Sequence, residues 1–383
     1  MRVLFSVSGF WPTIGGVEVR AAKLLPALRD RGFEFVVVTG QNSPDLPPEV
    51  TFQGVPIYRF PFGQIGQNIE SLAKIQQRII ELTRTFAPHL IHRNGVGVDS
   101  VFALAAAKAA SVPLLVTLIN KLGIHSLSQD SLHGNLLQRA DWVNSVSQAT
   151  LIQLRQLLPE VKSRSSVIHN GIDGTAFVPT PLPTDHPRLL CLGRLHYQKG
   201  VDIALRAFKK VVQHFSNARL VIAGDGHERR ALEQQAEQLG LSRAVEFTGW
   251  VPPKRVPAII GSVTMLLMPS RWEGLPNVAL QAAMMARPIV GARVGGLAEI
   301  VDHQQTGLLV EPEDADALAE AIVPLLKSPQ RLFQLGQAAR TKVQKEFGWN
   351  QYVDAYDALY RKLTMGPINM STKIINHSFE HSK

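Results

Sequence analysis

Short apolar, β-branched runs alternate with helical patterns along nearly the whole chain, and the alternation is interrupted once. In the first half the runs lie at Val3–Ser8, Phe33–Thr39, Leu90–His92, Leu114–Thr117, Val143–Val146 and Val167–His169, separated by helical patterns such as Val17–Arg31 and Ser71–Phe86. Strands that short and that uniformly apolar are buried on both faces, as in a parallel sheet covered by helices. The interruption is Thr180–Pro187, where Pro181, Pro183 and Pro187 exclude both a helix and a central strand. The pattern then restarts, with runs at Leu189–Leu192, Leu220–Ala223, Val245–Thr248, Val263–Met268, Ile289–Ala292 and Gly307–Val310, and helices at Val201–Phe215, Arg229–Leu239 and Ala315–Leu326.

At 383 residues the chain exceeds the roughly 250–300 at which a single core stops growing. The reading is therefore α/β, with two Rossmann-like domains whose parallel sheets face a central cleft lined by loops at the carboxyl ends of the strands. Residues 1–180 form the first domain, 181–187 the linker and 188–345 the second domain. Residues 346–363 are expected to be a helix packing back on the first domain, and 364–383 a disordered tail. The single cysteine, Cys191, rules out an internal disulfide framework and suggests a reducing compartment; it reads as a buried strand residue.

No segment reads as a signal peptide or a membrane span, so a cytoplasmic protein is expected, soluble or peripheral at the inner face of a membrane. The formal charge of +9 is spread along the chain without a basic block or interleaved aromatics, which argues against nucleic acid as a partner. The stretch Leu72–Phe86, with Lys74, Arg78 and Arg84, is the candidate for contact with anionic lipid, against the plainer reading of a solvated helix face.

Two loops carry the chemistry. Pro269–Asn277 follows an apolar strand and places Glu273 at the mouth of a helix whose free N–H groups favour phosphate. Gly193–Gly200 follows another apolar strand and offers Arg194, which can fork across two oxygens, and Lys199, a point charge. Together they suit a phosphorylated sugar. With no Asp-rich metal motif, the negative charge of such a ligand must be met by the fixed cations and backbone N–H groups. No metal site and no cofactor are expected.

The ordered set Trp11–Glu18, Ala140–Ser147, Val167–Asp173, the Arg194/Lys199 loop, Gly224–Gly226 and the Glu273 and Gly295–Gly296 segments resembles family 4 glycosyltransferases of the GT-B fold, up to about Leu363. The resemblance implies transfer of a hexose from a UDP- or GDP-sugar to a glycan or lipid-linked acceptor, with retention of anomeric configuration and without a metal. It assigns catalysis to Glu273, Arg194 and Lys199. Donor binding falls to those three with Gly15, Gly16, Gly274, Leu275, Asn277, Val278 and Gln281. Gly15 and Gly16 match the glycine loop whose backbone approaches the diphosphate, and Glu273 matches the first acidic residue of the family, which holds donor-sugar hydroxyls.

Four positions depart from the family pattern. Gln281 stands where a second carboxylate usually holds the ribose. Ile119 stands where many relatives have a histidine aimed at the reacting sugar, leaving Asn120 and His125 as candidate contacts to sugar or acceptor. Pro276 replaces a glycine and brings no N–H, and Asn94 stands where a histidine is common. Two rival readings follow: a catalytically silent nucleotide-sugar-binding partner, and an epimerase or phosphorylase on the same fold.

Overall fold

The computed structural model describes residues 1–13, 15–64, 69–119 and 131–365. In the first half the elements are β1 (Arg2–Val7), α1 (Gly16–Arg29), β2 (Glu34–Gly40), β3 (Glu49–Phe52), β4 (Val55–Phe60), α2 (Ile69–Phe86), β5 (Leu90–Asn94), α3 (Ser100–Ala110), β6 (Leu114–Leu118), α4 (Leu132–Arg139), β7 (Trp142–Ser145), α5 (Gln148–Leu157) and β8 (Ser165–Val167). The strands pair in the order β3-β4-β2-β1-β5-β6-β7-β8, parallel throughout except for β3 against β4. The sequence pattern does not reveal that hairpin, because β3 is a half-exposed edge strand and β4 carries Pro56. Its signal is the turn Gln53–Gly54, where both residues adopt positive φ (47° and 76°), the backbone that tight hairpin turns require.

The second half runs β9 (Arg188–Leu192), α6 (Val201–His214), β10 (Arg219–Ala223), α7 (Arg229–Gln238), β11 (Val245–Gly249), α8 (Val256–Gly261), β12 (Met265–Met268), α9 (Asn277–Met284), β13 (Ile289–Ala292), α10 (Leu297–Ile300), β14 (Gly307–Val310), α11 (Ala315–Leu326), α12 (Pro329–Glu346) and α13 (Trp349–Thr364). The six strands are parallel in the order β11-β10-β9-β12-β13-β14. Strand order reverses between β1 and β5 in the first sheet and between β9 and β12 in the second. At such switch points the loops diverge to opposite faces and leave a crevice at the carboxyl ends of the strands.

Helix α13 returns to the first domain. Tyr352, Tyr356 and Tyr360, four residues apart and so on one face, are buried with Val3, Phe5, Phe35 and Leu115 of the first sheet. Their hydroxyls meet the sheet's polar groups: Tyr360 lies 2.6 Å from His92 Nδ1, and Asn144 Nδ2 donates to Tyr356 at 3.2 Å. Burial, and next the charge of Arg93, push His92 down to about 3, so its ring is neutral at physiological pH.

The proline-rich segment is not a free tether. Arg287, 1% exposed, donates to the carbonyls of Thr180, Pro181 and Gly261, holding the linker against the second domain. Among the described residues it has no carboxylate partner, and burial lowers its pKa to about 10. The outward face of α2 is a solvated one: Ile75 and Ile79 point inward, Lys74 pairs with Glu70 at 2.6 Å and Arg78 with Glu49 at 3.9 Å. Among the described residues no helix is long and apolar enough to cross a membrane.

Candidate active site

Both switch points deliver their loops to one cleft. Behind β9, the loop carrying Arg194 and Lys199 closes on the loop behind β12: Arg271 N–H donates to Gln198 O at 2.8 Å, and Gln198 Nε2 donates to Trp272 O at 2.9 Å. Gly200 adopts φ 62°, and a Cβ there would stand 2.0 Å from Pro269 O, so only glycine lets the two loops approach this closely.

The approach joins Lys199 Nζ to Glu273 Oε1 at 2.7 Å. Ser270 Oγ donates to the same oxygen at 2.7 Å. Glu273 is 4% exposed and Lys199 28%, so the pair is desolvated on the carboxylate side and open to the cleft on the ammonium side. With both partners on Oε1, Oε2 has none among the described residues and remains a free acceptor. Arg194 is exposed and unpaired among the described residues, and it lines one pocket with Gly193, Lys199 and Ser270. A free guanidinium and an ammonium thus share one concavity, and the Glu273 carboxylate is joined to it through Lys199 and Ser270.

The other cation of this stretch has a different task. Arg271 makes a bidentate pair with Asp202 (2.8 Å to each oxygen), meets Glu313 at 2.5 Å and stacks 3.7 Å over the Tyr197 ring. The Asp202 hydrogen bonds, above all, raise its pKa, and with its valences filled it is a strut rather than an anion ligand. Gly295 and Gly296 are struts too: a Cβ on Gly295 would stand 2.0 Å from Glu273 O, and Gly296 N–H donates to Gly274 O at 2.8 Å. They hold the Glu273 loop from behind.

Helix α9 begins directly after this loop. Pro276 is its N-cap and no side chain caps it, so the amides of Asn277 and Val278 are unengaged among the described residues. Leu275 is buried, with its carbonyl accepting from Asn170 Nδ2 at 2.9 Å. Gln281 lies half-buried on α9, and its side chain has no hydrogen-bond partner among the described residues.

Across the cleft, Gly15 and Gly16 sit where β1 feeds α1, against the mouth of α9: Asn277 Nδ2 donates to Gly16 O at 3.1 Å. Ile119, at the end of β6, packs against the apolar cluster containing Leu275 and Leu297 of the second domain. Asn94, at the end of β5, is buried. Asn120 and His125, the candidate contacts to sugar or acceptor, lie outside the described residues, as does the tail from residue 366.

Residues to which the sequence assigns no task bind the domains together. Glu299 of α10 accepts the N–H groups of Gln148 (2.9 Å) and Ala149 (2.8 Å) at the start of α5, and meets His169 Nε2 at 2.8 Å. Burial pushes its carboxyl upward, but the His169 and backbone hydrogen bonds outweigh it and the pKa ends below the ordinary value. The signal in the sequence is a carboxylate three residues after Gly296 and a histidine just before Asn170. Their meeting depends on the mutual placement of two domains.

Two parallel-sheet domains meeting at their strand ends are the architecture of GT-B glycosyltransferases. Sucrose-phosphate synthase from Thermosynechococcus elongatus superposes with a TM-score of 0.82 at 22% identity, covering 96% of this chain and 100% of that one. Anabaena HepE in complex with UDP and glucose superposes with a TM-score of 0.79 at 24% identity, over 95% and 100%. The chain belongs to the group 1 glycosyltransferases of family 4: residues 14–175 match Glycosyltransferase Family 4, and residues 186–328 match Glycosyl transferases group 1. Among curated relatives, the glycogen synthase of Mycobacterium tuberculosis is 28% identical over 94% of each chain.

Proposed function

We propose that this glycosyltransferase moves a hexose from UDP- or GDP-sugar to a glycan or lipid-linked acceptor, with retention at the anomeric carbon and without a metal ion. The observation that carries the reading is the Lys199–Glu273–Ser270 cluster at the mouth of α9, beside the unpaired Arg194. Arg194, the Lys199 ammonium and the free α9 amides would bind the diphosphate and take up the charge that develops as the sugar leaves. Glu273 Oε2 would accept a sugar hydroxyl and orient the ring, an interaction that raises turnover only if it strengthens in the transition state.

Ile119 has no group with which to move a proton. The leaving phosphate oxygen would therefore take the acceptor's proton on the face from which it departs, as the acceptor oxygen bonds to the anomeric carbon. The anomeric configuration is thereby kept. HepE, a fold neighbour, was solved with UDP and glucose, which supports testing UDP-glucose first.

The experiment is a panel of UDP- and GDP-hexoses run with and without chelator, following nucleotide release and the anomeric configuration of the product by NMR. Release and an α product from an α donor are expected. Nucleotide-sugar binding without release over many acceptors would establish the silent-partner reading instead, and interconversion of sugars without acceptor would establish an epimerase. Activity lost on chelation would overturn the metal-free mechanism.

A further inference from the structure

Asn277 is the first residue of α9, and its side chain is spent on the other domain. Its Oδ1 accepts from Arg20 Nη1 of α1 at 3.0 Å and from Asn170 Nδ2 at 3.1 Å, while its Nδ2 donates to Gly16 O at 3.1 Å. Arg20 is 7% exposed and has no carboxylate partner among the described residues, so its buried guanidinium is met by neutral oxygens, those of Asn277 and of the Tyr352 hydroxyl. Gly16 is already in α1, where its backbone does not require glycine. Among the described residues, a Cβ built on it would meet only Asn277 within 4 Å, with Nδ2 at 2.8 Å.

We propose that Asn277 is a positioning residue, clasped by Arg20, Asn170 and Gly16, that sets the Gly15–Gly16 loop in register over the mouth of α9 when the cleft is closed, and that residue 16 is glycine to admit it. The inference rests on the reading of this mouth as the diphosphate site, but its geometry does not. When the cleft opens, all three bonds break together. Of the contacts across the cleft, this side chain alone bonds both the glycine loop and α1 to the mouth of α9 among the described residues, and its loss costs rate without removing any group that touches the sugar.

The test uses the full chain with Lys108→Cys and Glu237→Cys labelled for energy transfer between the domains. Both positions are exposed, whereas Cys191 is buried and its thiol is pushed up to about 12, so it stays unlabelled. Asn277→Ala is expected to lengthen and broaden the interdomain distance, and Asn277→Asp, which keeps the acceptor for Arg20, to do so less. With UDP-glucose as the first donor, Asn277→Ala should lower kcat/KM by about 10-fold or more, as expected for lost hydrogen bonds at a positioned site.

Gly16→Ala should be impaired alone yet nearly silent in the Asn277→Ala background, where its clash is gone; thermal unfolding checks that every variant folds. An unchanged distance distribution in Asn277→Ala, or equal cost of Gly16→Ala in both backgrounds, would overturn the proposal. If the unaltered protein turns over no nucleotide sugar, the distance measurement still decides the clasp, and only the functional reading fails.

Discussion

Removing either member of the Lys199–Glu273 pair should abolish most turnover, but the two removals should differ in stability in a way that the burial predicts. Lys199→Ala leaves a carboxylate that is 4% exposed with Ser270 as its one remaining partner among the described residues. Breaking a fully buried pair costs about 3–5 kcal/mol. Because Lys199 is 28% exposed, water already screens part of the interaction, and a cost of about 2–3 kcal/mol is expected. Glu273→Gln leaves an ammonium that can hydrate through the cleft, while the amide oxygen still accepts from Ser270, so about 1 kcal/mol is expected. For a domain of this size, 1 kcal/mol moves Tm by about 2–4 °C. Calorimetry of the transition that includes the second domain should therefore show a drop of about 4–12 °C for Lys199→Ala and about 2–4 °C for Glu273→Gln. Equal shifts, or the reverse order, would mean that the carboxylate is not the desolvated partner and would refute the asymmetry.

Arg271→Ala should lower Tm by breaking the Asp202 and Glu313 contacts, whereas Arg194→Ala should leave stability within about 0.5 kcal/mol of wild type yet weaken UDP binding in calorimetric titration. Gln281→Glu, if Gln281 faces the ribose, should tighten donor binding by about 5- to 30-fold, the worth of a charge-assisted hydrogen bond over a neutral one; unchanged affinity would place the ribose elsewhere. His92, held at about 3 in the folded chain against an ordinary 6.5, takes up its proton only on unfolding as pH drops. Stability should thus fall by about 2 kcal/mol between pH 7 and 5 from this group alone, measured by urea unfolding. Glu299→Ala should cost about 1–2 kcal/mol by exposing two α5 amides. Because its folded pKa lies below the ordinary 4.5, that support is complete at neutral pH and disappears as pH falls through the folded value, which the interdomain distance should report.

The strand-end loops are legible in the sequence because their residues announce themselves locally. An apolar run followed by glycine and cations, or by Glu273 and a helix, has the same meaning whichever domain lies opposite. The Lys199–Glu273 pair is legible only as two separate residues. Arg194 and Arg271 cannot be told apart by type, since what separates them is that Asp202 and Glu313, far away in the chain, fill the donors of one and not of the other. Ser270 passes as a loop residue, although it shares Oε1 with the lysine and leaves Oε2 free.

By itself the amino-acid sequence determined the α/β class with its parallel sheets, because strand burial and turn chemistry act over a few residues, and the family, through motifs in a fixed order. Only the tertiary structure decided which side chains of the strand-end loops remain available. The Asn277 side chain is held by Arg20, Asn170 and Gly16, leaving its backbone N–H as the group free for a donor; Glu299 joins α10 to α5; and the tyrosines of α13 lie against His92 and Asn144. Each of these contacts spans more than one hundred residues of chain, and its partner is chosen by how the domains face each other or by how α13 packs on the first sheet, which no local pattern encodes.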